Sequence, residues 1–180
     1  MTTAERPWSA TIRLDEVGET GRHIEIEASE ATRAALAKPA GVDAVERLTA
    51  RFDLTRRGRD GLHVSGSVSG TVRQTCVVTL EPLLNAIEEA IEVDYAPPRE
   101  TKASAAEIDI ASAAFADEPE PLIGDTVDLG LLATEFLILG IDPYPRKAGA
   151  AFEAPNVAAD PAAHPFAGLA ALQKKSTVKE

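Results

Sequence analysis

The chain has 180 residues and a formal net charge of −11, enough length for one domain with a core of its own. Apolar residues make up 44%, but much of that is alanine and aromatics reach only 4%, so the core is thin for the length. A single cysteine excludes an internal disulfide, no apolar run is long enough to span a bilayer, and the first eight residues lack the basic-then-apolar layout of a secretory signal, so the expected compartment is the cytoplasm.

In chain order, Trp8, Ala10, Ile12 and Leu14 alternate with polar neighbours, and period two marks a half-buried strand. A turn follows around Gly18 to Gly21. Ile24, Ile26 and Ala28 give a second strand, and Ser29 caps a short helix that Pro39 and Gly41 end. Leu48, Ala50, Phe52 and Leu54 form a third strand. After the turn Thr55 to Gly61, a long clean alternation from Leu62 to Val72 forms a fourth, antiparallel to the third. Gly66 and Gly70 on its apolar face leave room for a bulky neighbour or mark bends. Ile87, Ile91, Val93 and Tyr95 suggest a fifth strand, with Glu89 out of phase and Glu88, Glu92 and Asp94 on the wet face.

Residues 96–121 read as a long acidic loop. From Val127 the chain is helical, with Asp128 as the N-cap candidate and Gly140 and Pro143 as the stop. Leu129, Leu132, Ala133, Phe136 and Leu137 share one face, and Leu131 and Ile138 call for cover on a second side. The fold expected is therefore α+β: a curved, mostly antiparallel β-sheet of about five strands with two packed helices, in a single domain over 1–147. Residues 148–180 read as an Ala/Pro-rich linker and a short C-terminal helix.

Charge is unevenly placed. Residues 1–80 carry 11 basic and 11 acidic groups, whereas 81–142 carry 2 and 15. No broad cationic field for nucleic acid exists on such a chain. Local RNA contact is best supplied at Arg56, Arg57 and Arg59, or at Arg146 and Lys147. The acidic middle could attract a basic partner protein or serve as a solvated surface.

Catalytic chemistry finds little purchase. Cys76 and the three histidines lie in separate segments with no metal-ligand spacing. His23 and His63 fall on wet strand faces and read as solvated, and Cys76 continues the apolar register of its strand as a small buried hydrophobe. Gly66–Gly70 is no nucleophile elbow, because its centre is Val68. No phosphate loop, cofactor motif, metal site or small-molecule site is indicated.

Two segments stand out: Thr71 to Pro82 (TVRQTCVVTLEP) and Val127 to Lys147 (VDLGLLATEFLILGIDPYPRK). The first runs an alternating strand into the turn Cys76–Thr79–Leu80–Glu81–Pro82. The second is an apolar helix, opened by Asp128 and closed at the corner Pro143–Tyr144–Pro145–Arg146–Lys147. Together these segments resemble the YceD family (domain of unknown function 177). Its members typically show C-x-x-C-L-x-P, an acidic strand and a helix closing at a proline. Here Thr79 stands at the second cysteine position, so metal binding through paired cysteines is not expected.

The resemblance implies a non-enzymatic role in large ribosomal subunit biogenesis, through accumulation or processing of 23S rRNA. The partners implied are ribosome-assembly proteins or a ribosomal protein, with local rRNA contact. The alternative is an acidic protein-interaction module for a basic partner outside ribosome assembly. Thr79 and Glu81 either cap their turn or face a partner. Tyr144, held between two prolines, reads as a fixed corner. Arg146 and Lys147 either meet RNA phosphate or answer the nearby acids.

Overall fold

The computed structural model describes residues 7–98 and 118–152. Most of the expected acidic loop and the expected C-terminal helix lie outside the described residues. Two compact units divide between Ala148 and Gly149, and every strand and helix described belongs to the first.

The main sheet has the strand order β2-β3-β4-β5-β6. Strand β2 is Arg22–Glu27, β3 Ala44–Arg57, β4 Gly61–Thr75, β5 Pro82–Ala96 and β6 Glu120–Pro121. All neighbours are antiparallel except β5 and β6. Leu62, Val64, Val68 and Val72 of β4 point inward and are fully buried, beside Leu48, Phe52 and Leu54 of β3. Each fully buried side chain of this kind contributes about 1.5–3 kcal/mol. The opposite face is wet. Its cross-strand pairs, Arg51 with Glu25 and His23 with Asp53, are exposed and worth under about 1 kcal/mol each.

Helix α1, Glu30–Ala37, is capped by Ser29, whose hydroxyl accepts the Thr32 N–H at 3.2 Å, and buries Leu36 against the sheet. Helix α2, Leu129–Leu139, covers β4 and β5 with Leu129, Leu132, Ala133 and Leu137. Its N-cap, Asp128, does more than cap. The carboxylate accepts the N–H groups of Gly130 (3.1 Å), Leu131 (3.2 Å) and Ala10 (2.9 Å), and the Ser9 hydroxyl at 2.8 Å. Burial pushes this carboxyl up, but the donors of Ala10, Ser9, Leu131 and Gly130 outweigh it and hold the group below its ordinary range.

Two expectations are corrected. The alternation from Trp8 to Leu14 yields only a three-residue strand, β1 (Thr11–Arg13). It pairs with β7 (Thr126–Asp128) in a separate ribbon, and Leu14 already opens a 3-10 turn. The main sheet reaches five strands through β6 instead. Glu89 does not break the phase of β5. The pairing runs without a shift from Leu62↔Tyr95 to Thr75↔Pro82, and Glu89 takes an inward, half-buried position opposite Val68. Of the two residues outside the main stripe of α2, Leu131 is half-buried and Ile138 is 38% exposed, and Leu139 beside them is 77% exposed. Gly140 ends the helix without the left-handed backbone typical of such glycines: its φ is −79°. Its smallness is needed because a Cβ there would lie 2.6 Å from Ile87 Cγ2 and 2.7 Å from Glu89 Cγ.

Two more glycines seat α2. A Cβ on Gly70 would meet Leu137 Cδ1 at 2.9 Å, so the room expected above Gly70 is taken by the helix. A Cβ on Gly130 would lie 2.9 Å from the backbone of Trp8 and Ser9. Alanine gains about 1 kcal/mol of helix propensity over glycine, but overpacking against rigid backbone costs about 1–3 kcal/mol. Gly130→Ala is therefore expected to lower stability by up to about 2 kcal/mol in urea unfolding; a stabilised variant would refute this packing.

Candidate functional site

The two segments that stand out in the sequence meet in space. Cys76 leaves β4 and starts a tight loop in which Leu80 N–H donates to Cys76 O at 2.9 Å, and Cys76 N–H donates to Glu81 O at 2.9 Å. Against this loop lies the corner that follows α2. Val77 N–H donates to Pro145 O at 3.0 Å, Lys147 N–H to Cys76 Sγ at 3.3 Å, and the Lys147 ammonium to Glu81 Oε2 at 3.0 Å. Gln74, buried at the end of β4, locks the joint: its Nε2 donates to Asp142 O at 2.9 Å, and its Oε1 accepts from Asn85 Nδ2 at 2.7 Å. Sequence reasoning passed over Gln74 and Asn85. A polar residue at an inward strand position (Gln74 follows Val72) was the available signal.

Of the candidate residues, Cys76, Thr79, Leu80, Glu81 and Pro82 come together with Pro143, Tyr144, Pro145, Arg146 and Lys147. Asp128 does not join them. It sits at the other end of α2, about 16 Å of helix away, and anchors the β1 segment.

Cys76 is fully buried, and its sulfur accepts two backbone N–H groups, from Lys147 and from Thr79 at 3.4 Å. The Lys147 amide, with the Thr79 hydroxyl and amide, pushes the thiol down to about 6, against the opposing effect of burial. Glu81 is held below its ordinary range by the Lys147 ammonium and the Thr79 hydroxyl. Lys147 thus answers a nearby acid. Arg146 is exposed and makes no ion pair among the described residues.

Apolar side chains face solvent at this joint. Leu80 is 75% exposed with φ +58°, a left-handed conformation that an L side chain adopts at a cost of about 1–2 kcal/mol. Tyr144 is 70% exposed, its N–H fixed by Asp142 Oδ1 at 2.8 Å, beside buried Pro145. Val77 adds a third exposed apolar group. A strained, solvent-facing leucine on the turn and an exposed tyrosine on the corner that docks against it are features of a contact surface.

In the other basic loop Arg56 and Arg57 are engaged, and Arg59 is exposed without an ion pair among the described residues. The Arg56 guanidinium donates to Leu14 O at 2.8 Å and Val17 O at 2.9 Å, clamping the 3-10 turn, and Arg57 pairs with Asp94 at 3.2 Å. Asp94 also takes His63 Nδ1 at 2.7 Å, so His63, with a side chain 19% exposed, is a partnered histidine and not a solvated one. This loop and the Cys76 turn lie at opposite ends of β4, whose 15 residues span about 50 Å when extended. A hollow of about 540 Å³ on the wet face has Arg47 and Arg51 on one wall and Glu88 on the other, floored by Ser67, Ser69 and Thr71. Its mixed walls favour neither anions nor cations. Among the described residues no group of three His, Cys, Asp or Glu side chains is placed to hold a metal ion, and no helix is long and apolar enough to cross a membrane.

The strand, turn, helix and corner described here fall within a family match. Residues 64–173 match the large ribosomal RNA subunit accumulation protein YceD family. With more than half of its length matched, the chain belongs to that family. No curated protein and no solved structure matches it.

Two outcomes are expected at the joint. Leu80→Gly relieves the left-handed strain and raises stability by about 1 kcal/mol in urea unfolding; an unchanged or lower midpoint would show that the Leu80 side chain contributes to folding. A thiol more acidic in the folded chain binds fewer protons there, so its contribution to folding is complete above about 9.0 and is lost as pH falls through about 6. The urea midpoint should fall between those limits on acidification, and Cys76→Ala should flatten that slope.

Proposed function

We propose that this protein assists large ribosomal subunit biogenesis without catalysing a reaction, by presenting the Cys76–Pro82 turn and the Pro143–Lys147 corner to partner proteins in the cytoplasm. The observation that carries this reading is the joining of two sequence-distant segments, both inside the family match, into one hydrogen-bonded unit. Exposed Leu80, Val77 and Tyr144 supply apolar anchors of the kind that dominate protein contacts. Arg146 at their margin provides a local contact for rRNA phosphate, and the acidic balance of 81–142 opposes a broad one. A binding role is also supported by the Cys76 sulfur, which is enclosed by two amides and fully buried, out of reach of a substrate.

A strain lacking the gene should show depleted 50S particles in sucrose gradients, restored by the wild-type chain. Tyr144→Ala with Arg146→Glu should leave thermal stability within about 0.5 kcal/mol of wild type, as surface substitutions usually do, yet fail to restore the particles. A normal profile in the deletion strain would remove the assembly role. Full rescue by the double variant would remove this face from it.

A further inference from the structure

Among the described residues, strand β5 lies near one side of the sheet with only the short β6 beyond it. Strand β6 pairs only with Tyr95 and Ala96, so among the described residues the outer edge from Pro82 to Asp94 has no partner strand. The other open edge, β2, has only six residues. A long, regular, unpaired edge is a template for another extended chain, and proteins blunt such an edge by shortening, bulging or covering it, or by placing charges along it that reject like-charged and apolar strands. Here β5 has 15 residues, its pairing to β4 runs without a bulge, and Pro82 stands only at its start.

The charges on β5 decide what this edge accepts. The strand carries Glu88, Glu89, Glu92 and Asp94 and no basic residue. Asp94 is occupied by His63 and Arg57. Glu88 and Glu92 stand on the wet face and Glu89 on the inner face, and none of the three has an ion-pair partner among the described residues. A second copy of this chain would bring the same acids edge to edge, and like charges placed opposite each other destabilise a strand pair. An RNA backbone is repelled for the same reason. A basic strand meets opposite charge at every acidic position, while its backbone completes the open hydrogen bonds. Glu88 and Glu92 are four residues apart on one face, so basic side chains repeated at even spacing along an extended segment would match them.

We infer that the outer edge of β5 binds a basic, extended segment of a partner protein as an added strand, with Glu88, Glu89 and Glu92 selecting its charge. This inference rests on the reading of the chain as a protein-contact factor and gives that reading a second surface and a partner chemistry. The sheet edge supplies affinity through the backbone, and the acids supply selectivity.

The test uses the full chain and a ten-residue peptide of alternating Lys and Val, with alternating Glu and Val as the charge control. The Lys–Val peptide should bind and slow hydrogen exchange of β5 amides between Ala86 and Asp94, and the Glu–Val peptide should not bind. Glu88→Lys with Glu92→Lys, on the exposed face and so expected to fold, should weaken the Lys–Val peptide by about tenfold or more and admit the Glu–Val peptide. N-methylation of alternate amides in the Lys–Val peptide should abolish binding, because it removes donors without changing charge. Binding that survives N-methylation, or protection that appears away from β5, would overturn strand addition.

In cells, a depleted deletion strain that the charge-reversed variant rescues fully would also overturn the edge as the partner site. A normal deletion strain would count against the assembly reading alone, leaving the peptide experiment to decide the edge.

Discussion

Helix α2 lies so close to its neighbours that at three places there is no space for a single Cβ. Gly70 receives Leu137, Gly140 lies against Ile87 and Glu89, and Gly130 lies against the backbone of Trp8 and Ser9. Everything downstream depends on this seat. It closes the core over β4 and β5, fixes Asp128 where the carboxylate gathers Ala10 and Ser9, and sets the direction in which the chain leaves the helix toward Asp142. Glycine is poor in helices and strands, so its use at these points trades local propensity for closeness. The fold keeps the closeness.

The joint between turn and corner is the second consequence of that seat. Because α2 ends beside β5, the Pro143–Lys147 stretch is delivered to the end of β4, where the Cys76 loop begins. Its holding forces are polar and mutual: a sulfur with two amide donors, a buried glutamine amide satisfied from both sides, and one exposed ion pair. Removing any one buried partner leaves another polar group unsatisfied, at about 1–3 kcal/mol. Leu80 and Tyr144 project from this hydrogen-bonded joint. A joint held by its own hydrogen bonds lowers the ordering cost of any contact made through it.

The strands β2 to β5 and both helices were legible because each buries one face, and burial writes its period directly into the residues. Who pairs with whom is not written there. Trp8 to Leu14 has the same period as the sheet strands, yet it pairs with Thr126–Asp128, because alternation reports a covered face and not a neighbour. Glu89 looked out of phase because charge at an inward position reads as a break. It lies in phase, half-buried at the side of the sheet, beside a glycine that makes room for it. Arg56 looked like part of a free basic loop, because its two carbonyl partners lie some 40 residues upstream. The meeting of Cys76 with Lys147 is likewise a contact across 71 residues, and local spacing holds no record of it. Glu81 and Lys147 could each be singled out, but only the folded chain makes them a pair.

The clasp between β1 and β7 has a bearing on how the chain comes into being. Ala10 and the carboxylate that receives its amide are 118 positions apart in the sequence. A polypeptide emerging from its N-terminus at about 5–20 residues per second exposes Trp8, Ile12 and Leu14 on the order of ten seconds before Asp128 has been made. Over that interval those apolar groups have no permanent shelter. The newborn chain is adhesive before α2 arrives, and it is the arrival of that helix that ends this vulnerable period.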